Sequence, residues 1–173
     1  LLFVGRIIKT KGVYELIGAC LELQKQRIPF ILTMIGDGSE RKKIEEKVKE
    51  YNLEKQILIR GSLPYEETQK EYPKHDIFLN PSYTEGLPTT VLEALSNSLL
   101  VVASNAGGTN EIIPNEYLLE TNNINPSSIA EKIIDLKDNW SSYQRIYQSI
   151  YGIAKGKFNW KTNVTKYRDI RIT

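Results

Sequence analysis

The sequence predicts an α/β fold, in which a doubly wound parallel sheet has helices packed on both of its faces. Two observations predict it. Short apolar segments alternate along the chain with segments whose apolar residues recur at helical spacing. The connections between these segments are too short for anything other than βαβ units in one compact stack of layers. The length of 173 residues allows one such domain.

Each predicted element follows from its own pattern. Residues 1–4 are all apolar and predict a strand. Residues 13–24 predict a helix, because apolar residues lie on one face of it: Val13, Leu16, Ile17, Cys20 and Leu21. The other predicted strands span residues 30–35, 56–60, 76–80 and 99–104, with a weaker one at 117–120. The other predicted helices span residues 40–53, 65–72, 88–97, 127–136 and 141–155.

Composition excludes several classes of protein. A chain that is 40% hydrophobic and 25% charged is neither disordered nor collagen-like. The longest apolar runs are about five residues, far below the ~20 residues needed to cross a bilayer. Cys20 is the only cysteine, which excludes an internal disulfide. The net charge of +2 is too small to indicate nucleic acid. Because the chain opens directly on a strand, without an initiator Met, we expect a piece of a longer protein.

The last segment, residues 151–173, differs from the rest. It has six Lys or Arg residues against the single acidic residue Asp169, together with the rings of Phe158, Trp160 and Tyr167. Such a tail suits either a membrane or nucleic-acid surface, or a terminal helix that packs its rings onto the domain. We favour the packed helix.

Glycines mark the strand ends. Gly5, Gly36 and Gly61 end the first three predicted strands, and Gly107 follows the fifth. In an open α/β sheet, ligands bind beyond the carboxyl ends of the strands, and glycine allows close approach of the backbone to a ligand. The glycines therefore predict a cleft along this edge, without naming its ligand.

The loop after the first strand, residues 5–12, has neither the glycine pattern of a dinucleotide-binding loop nor a Walker motif. It has two cations instead, Arg6 and Lys11. A guanidinium fork and a mobile ammonium both suit phosphate, so the pair predicts a diphosphate ligand. The alternative is a basic loop in contact with solvent.

The loop after the fourth strand places Glu85 and Glu93 eight positions apart. From Gly86 to Thr89 the start of the next helix would offer free N–H groups to an anion, with Pro88 in the first turn. Glu93 falls on an otherwise apolar helix and needs a hydrogen-bonding partner there. Carboxylates accept hydroxyl groups of sugar and ribose. The alternative is that Glu85 caps the helix and Glu93 lies at the surface.

Taken together in chain order, five motifs resemble one family: Gly5-Arg6-x5-Gly12, Gly36-Asp37-Gly38, Asp76-Ile77-Phe78 with Pro81-Ser82, Glu85-x7-Glu93 and Gly107-Gly108-x-x-Glu111. Over residues 1–138 the chain resembles the carboxyl-terminal half of family 4 glycosyltransferases, which are retaining enzymes of the GT-B fold. The resemblance implies a Rossmann-like sheet that forms one half of a GT-B fold. It also implies that Gly107, Gly108 and Glu111 shape the floor of the cleft.

The resemblance implies roles for single residues. Arg6 and Lys11 would contact the donor diphosphate, Glu85 the hydroxyls of the donor sugar, and Glu93 those of the ribose. The expected catalytic residues are Arg6, Lys11 and Glu85. The expected substrate-binding residues are Gly5, Gly36, Gly61, Leu63, Gly86, Leu87, Pro88, Thr89 and Glu93, with Gly61 and Leu63 beside the nucleobase.

From this resemblance we expect residues 1–173 to be the donor-binding domain of a retaining glycosyltransferase that uses a nucleotide-diphospho-sugar. The amino-terminal acceptor domain, which would bind a sugar or a lipid-linked acceptor, is absent from the chain, so we expect the domain alone to be inactive. No Asp-x-Asp metal motif is present, and we expect neither metal nor cofactor.

The expected setting is the cytoplasm, with peripheral association at the inner face of the membrane and no nucleic-acid partner. The expected pathway is surface polysaccharide, lipopolysaccharide or capsule biosynthesis, suggested by a composition rich in Ile, Lys, Asn and Tyr. Two alternatives stay open: a non-catalytic nucleotide-sugar-binding module, and a nucleotide-sugar epimerase of the same fold.

The sequence departs from the family pattern at two points. After Glu93 the family usually has a small residue, Gly, any residue and Pro, where this chain has Ser96-Asn97-Ser98-Leu99. We therefore expect Asn97 to take the left-handed conformation that ends the helix. His75 stands where a small residue is usual, and we expect it to be structural rather than catalytic.

Overall fold

A computed structural model describes residues 1–158 of the chain. Its centre is a sheet of five strands: β1 (Leu2–Val4), β2 (Leu32–Ile35), β3 (Ile57–Gly61), β4 (Ile77–Asn80) and β5 (Leu100–Ala103). The strand order is β3-β2-β1-β4-β5 and every pairing is parallel. The predicted doubly wound parallel sheet is therefore confirmed. The chain changes direction across the sheet between β1 and β4, which is where ligands bind in such folds.

Six helices surround the sheet: α1 (Val13–Lys25), α2 (Arg41–Glu50), α3 (Tyr65–Glu71), α4 (Thr89–Ser96), α5 (Pro126–Asp138) and α6 (Trp140–Lys157). α1 packs against α2 and α5, whereas α4 packs against α6. The strands β2, β4 and β5 are buried at every position, because helices cover both faces of the sheet. Within residues 1–158, no helix combines the length and apolarity needed to cross a lipid bilayer.

The weaker predicted strand at residues 117–120 is wrong. One 3-10 turn spans Asn115–Tyr117 and another spans Thr121–Asn123, so too little extended chain lies between them for a strand. Leu119 alone pairs with the sheet edge. Its N–H donates to the carbonyl of Ala103 at 2.8 Å, and its carbonyl accepts from the N–H of Asn105 at 2.7 Å.

The end of α4 also differs from the expectation. Asn97 keeps φ at −97°, and the left-handed residue is Ser98, at φ 65°. The N–H of Ser98 donates to Leu95 and that of Leu99 to Ala94, which is the Schellman arrangement. Asn97 instead donates from its side-chain amide to the carbonyl of Glu93 at 2.9 Å. This local bond keeps Asn97 out of the left-handed conformation, so the left-handed residue that ends the helix comes one position later, at Ser98.

The packed-helix interpretation of the carboxyl-terminal segment holds for its described part. Ala154 is buried in α6, and Phe158 packs at the edge of the core. Lys157 forms an ion pair with Glu111 at 3.0 Å. The remaining tail residues that we singled out, among them Trp160, Tyr167 and Asp169, lie outside the described residues.

Candidate functional site

The loops that follow β1, β2 and β3 abut through their backbones at the carboxyl edge of the sheet. The N–H of Gly36 donates to the carbonyl of Gly61 at 2.8 Å, and that of Ile7 donates to Asp37 at 2.9 Å. A side chain at Gly36 would meet the carbonyl oxygen of Gly5 at 1.9 Å. The three glycines therefore do gather at one edge, as their positions after the strands predicted.

The loop after β1 is also fixed against the loop after β4. Gly12 has φ +65°, and a Cβ there would lie 2.0 Å from the carbonyl oxygen of Pro81. The N–H of Tyr83 donates to the carbonyl of Thr10 at 2.8 Å. Because only glycine allows both this φ and this approach, residues on either side of Gly12 are held close to the fourth loop.

The loop after β5 forms the floor beneath the fourth loop. Gly107 has φ +53°, and a Cβ there would lie 1.9 Å from the carbonyl oxygen of Glu85. The N–H of Gly108 donates to the carbonyl of Gly86 at 2.7 Å. The two glycines thus support the backbone of the segment from which the predicted donor-binding groups project.

Lys11 and Glu85 form an ion pair across the cleft. Nζ of Lys11 donates to Oε1 of Glu85 at 2.6 Å, although the two residues are 74 positions apart. The side chains are only 19% and 9% exposed. Sequence reasoning placed both in the cleft but assigned them to different ligand groups, and it did not predict this contact. Among the described residues, no side chain caps α4, so the alternative role of Glu85 as a helix cap is wrong.

Arg6 is exposed at the end of β1, and within residues 1–158 its guanidinium has no hydrogen-bond or ion-pair partner. It lines a shallow depression of about 300 Å³ between the first three loops. The other residues around this depression are Val4, Gly5, Ile35, Gly36, Asp37, Ser62, Leu63 and Thr68. Gly5, Gly36 and Leu63, all predicted to bind substrate, therefore surround one concavity with Arg6.

The segment that leads into α4 lies at the carboxyl end of β4. Leu87 and Thr89 are exposed, whereas Pro88 is buried and immediately precedes the helix. In the described part of the chain, the N–H groups of Gly86, Leu87 and Thr89 donate no hydrogen bond. Among the described residues, a Cβ at Gly86 would meet nothing within 4 Å, so Gly86 itself lies beside open space. Unpartnered N–H groups at a helix start favour an anion.

Glu93 is half-buried in α4. It has the hydrogen-bond donor that a carboxylate on an otherwise apolar helix needs. The hydroxyl of Tyr72 donates to its Oε2 at 2.7 Å. Tyr72 is fully buried, with its ring 5.8 Å from that of Phe78. Burial, followed by the hydrogen bond to Glu93, raises the pKa of the Tyr72 hydroxyl. The surface alternative for Glu93 is therefore wrong. Sequence reasoning missed Tyr72, whose position before Pro73 indicated only the end of a helix.

His75 lies at the start of β4, at the edge opposite the cleft, and its ring has structural partners. Nδ1 is 2.7 Å from the carbonyl oxygen of Glu71, and Nε2 is 2.9 Å from Oγ1 of Thr33. The carbonyl only accepts, so Nδ1 donates to it, and Nε2 shares a hydrogen bond with the Thr33 hydroxyl. The geometry agrees with the structural interpretation of His75.

Two further features bear on the ligand. Among the described residues, no three His, Cys, Asp or Glu side chains group in a way that could hold a metal ion. A cavity of about 540 Å³ lies at the amino ends of the strands beside His75 and Trp140. It is lined mainly by apolar side chains and contains none of the predicted site residues, so the carboxyl edge remains the candidate site.

Comparison with known proteins identifies the family. The family model described as glycosyl transferases group 1 matches residues 1–152. A protein of Methanocaldococcus jannaschii, named an uncharacterized glycosyltransferase, is 31% identical over 98% of this chain and 44% of its own length. The chain spans less than half the length of the first curated relatives that it matches.

Two solved structures extend the comparison. The carboxyl-terminal domain of LpcC, a group 1 glycosyl transferase from Francisella tularensis, is 30% identical, with a TM-score of 0.78 over 91% of this chain and 85% of that domain. HepE of Anabaena, solved with UDP-glucose, is 20% identical, with a TM-score of 0.79 over 91% of this chain and 44% of its own. At that identity the second likeness bears on the fold alone.

Proposed function

The chain belongs to the group 1 glycosyl transferases, and from that premise we propose that it binds the nucleotide-diphospho-sugar donor of a retaining glycosyltransferase. One observation supports this above the others. The cations Arg6 and Lys11, the free amides before α4 and the carboxylate of Glu85 converge at one sheet edge. That edge offers positive groups for a diphosphate directly beside an acceptor for hydroxyl groups.

The diphosphate would lie between Arg6, Lys11 and the N–H groups of Gly86, Leu87 and Thr89. These groups would also stabilise the charge that develops on the departing diphosphate, because they are fixed before the reaction begins. In this proposal no metal ion and no cofactor takes part, since cations and amides supply the positive potential. They act as catalytic residues by contact with the leaving group.

The carboxylates would hold the two sugars of the donor. Glu85, beside the amides, would accept hydrogen bonds from hydroxyls of the transferred sugar, and Glu93, further along α4, from the ribose. The depression beside Gly36, Gly61 and Leu63 would take the nucleobase. HepE, which shares the fold, was solved with UDP-glucose, and a nucleotide sugar of that kind is the ligand that we propose here.

Transfer would need an acceptor domain in addition to this one, and the chain spans less than half the length of the first curated relatives that it matches. We propose a sugar or lipid-linked acceptor of surface polysaccharide, lipopolysaccharide or capsule synthesis, used at the inner face of the membrane with retained configuration.

Calorimetric titration of the chain tests the proposal. The ligands are UDP, GDP and ADP, with UDP-glucose, UDP-N-acetylglucosamine, GDP-mannose and ADP-glucose. Arg6→Met should weaken binding of the preferred diphosphate about ten- to hundredfold, as expected for one charge-assisted hydrogen bond. Arg145→Met, which removes an exposed cation from α6, is the control and should change nothing. Absence of binding by every ligand, or an Arg6→Met variant that binds like the wild type, contradicts the proposal.

Titration separates binding from catalysis, and a second measurement addresses the non-catalytic alternative. The chain joined to the proposed acceptor domain should release nucleoside diphosphate from the preferred donor, and Arg6→Met should slow that release more than it weakens donor binding. A joined protein that binds donor and releases nothing with any sugar or lipid-linked acceptor supports the binding module instead.

A further inference from the structure

The Lys11–Glu85 ion pair joins two groups that the proposed function gives to different parts of one ligand. The ammonium and the carboxylate meet at 2.6 Å, with most of each side chain buried. Within residues 1–158 neither side chain has another hydrogen-bond or ion-pair partner. Each group therefore satisfies the other while the cleft holds no ligand.

The backbones that bear these two side chains are fixed. Lys11 is followed by Gly12, which lies under the carbonyl of Pro81, and Thr10 accepts a hydrogen bond from Tyr83. The carbonyl of Glu85 lies directly against Gly107. The pair can therefore separate by rotation of the two side chains, without movement of either loop.

We propose that donor binding exchanges this ion pair for ligand contacts, so that the pair selects the sugar-bearing nucleotide over the bare nucleoside diphosphate. Lys11 turns to the diphosphate, and Glu85 accepts hydrogen bonds from the hydroxyls of the attached sugar. The inference rests on the proposed function. It adds that the cleft binds the donor more tightly than the product diphosphate, which does not follow from the separate roles of Lys11 and Glu85.

The preference follows from what each ligand offers to Glu85. A bare nucleoside diphosphate gives Lys11 a new partner but leaves a carboxylate that is only 9% exposed without one. An unpaired charge in such a position is costly. The attached sugar supplies hydroxyl donors to that same carboxylate and removes the cost. Arg6 has no partner to give up, so its contact with diphosphate is the same for both ligands.

The exchange also acts after sugar transfer. Once the sugar leaves, Glu85 loses its hydroxyl partners and pairs with Lys11 again. That pairing withdraws one cation from the product diphosphate, so the product is held less firmly than the donor. The ion pair thereby favours release of the product in each reaction cycle.

The test is a double-mutant cycle on the chain, read by calorimetry with UDP and UDP-glucose and with GDP and GDP-mannose. Glu85→Gln should tighten the bare diphosphate about fivefold, which corresponds to ~1 kcal/mol, because Lys11 no longer has a competing partner. The ratio of conjugate affinity to diphosphate affinity should fall about tenfold or more. In a Lys11→Met background, Glu85→Gln should leave diphosphate binding unchanged, since no ammonium remains to be released.

The exposed pair Lys25–Glu22 at the far end of α1 provides the matched controls Lys25→Met and Glu22→Gln, which should change neither affinity. Circular dichroism verifies the fold, and Glu85→Ala must reproduce the tighter diphosphate binding.

If Glu85→Gln tightens diphosphate binding equally in the Lys11→Met background, simple charge repulsion is the cause and the proposed exchange is wrong. If Glu85→Gln weakens only the conjugate, the exchange is wrong but the proposed function stands. If the wild type binds none of these four ligands and none of ADP, ADP-glucose and UDP-N-acetylglucosamine, both fail.

Discussion

The hydroxyl of Tyr72 donates a 2.7 Å hydrogen bond to Oε2 of Glu93 and so joins the end of α3 to the middle of α4. Tyr72 is fully buried and Glu93 is half-buried. One side chain from the interior thus fixes the orientation of a carboxylate that the proposed function assigns to the ribose. Two consequences of this contact can be separated by experiment, one for stability and one for binding.

Tyr72→Phe should lower the free energy of unfolding by about 1–3 kcal/mol, because it leaves a half-buried carboxylate without its donor. It should also weaken nucleoside diphosphate binding, because the carboxylate is no longer held towards the ribose. Tyr147→Phe is the control, since this buried hydroxyl donates to the carbonyl of Val101 away from the cleft. It should lose comparable stability and keep full affinity. Urea denaturation and calorimetry measure the two effects, and equal affinity losses in both variants would contradict the assignment.

Gly12→Ala should destabilise the domain by about 1–3 kcal/mol, from left-handed backbone strain and the Cβ contact with Pro81. The variant should also weaken diphosphate binding, because relief of the contact displaces Lys11. Gly152→Ala in α6, where an added Cβ meets nothing, should instead stabilise by about 0.5–1 kcal/mol through helix propensity. Urea midpoints of the two variants should therefore move in opposite directions. A Gly12→Ala variant as stable as the wild type contradicts the fixed loop.

Ser98→Gly should stabilise the domain by about 0.5–1 kcal/mol, because Ser98 bears the positive φ that ends α4 and glycine adopts it without strain. Ser96→Gly, two residues earlier and still helical, should destabilise by a similar amount. Thermal denaturation of the two variants provides the comparison. Stabilisation by Asn97→Gly in place of Ser98→Gly would mean that the helix ends where the sequence alone suggested.

Stability should depend on pH through Tyr14 and Glu40, which are joined by a hydrogen bond from the hydroxyl to Oε2. That bond holds the pKa of Glu40 below its usual 4.5. Its contribution to stability is therefore present above pH 4.5 and lost as the pH falls through the lower pKa of the folded state. The same bond raises the pKa of Tyr14 from 10.0 to about 12, so stability is also lost as the pH rises from 10 towards 12.

Urea midpoints measured from pH 3 to pH 12 test this dependence. Glu40→Gln should flatten the curve at both ends, because the amide neither titrates nor holds the phenol protonated. Glu54→Gln, at an exposed position beyond α2, is the control and should leave the shape of the curve unchanged. An unchanged curve for Glu40→Gln would show that other groups determine the pH dependence.

The sheet and most of its helices could be predicted from the sequence because their signals are local. The apolar strand at residues 1–4 and the helical spacing after Val13 each depend on neighbours within a few positions. The loop glycines indicated the carboxyl edge of the sheet as the candidate site. Each glycine directly follows a strand, and the carboxyl ends of parallel strands all lie at one edge. The predicted strand at residues 117–120 was wrong because the same apolar residues also suit a short extended segment. The turns on either side leave room for a single bridge, between Leu119 and Ser104.

The pairing of side chains was decided only by the tertiary structure. Charge and spacing placed Lys11 and Glu85 in one cleft, but 74 intervening positions leave their separation undetermined until the loops after β1 and β4 pack together. The sequence showed that Glu93 needs a donor and could not show that Tyr72 provides it, because that contact depends on how α3 and α4 are placed over the sheet. The sequence therefore determines which groups lie at the carboxyl edge of the sheet, since strand direction alone brings them there. Packing determines which groups engage one another, since a hydrogen bond depends on distances of about 3 Å that no local pattern specifies.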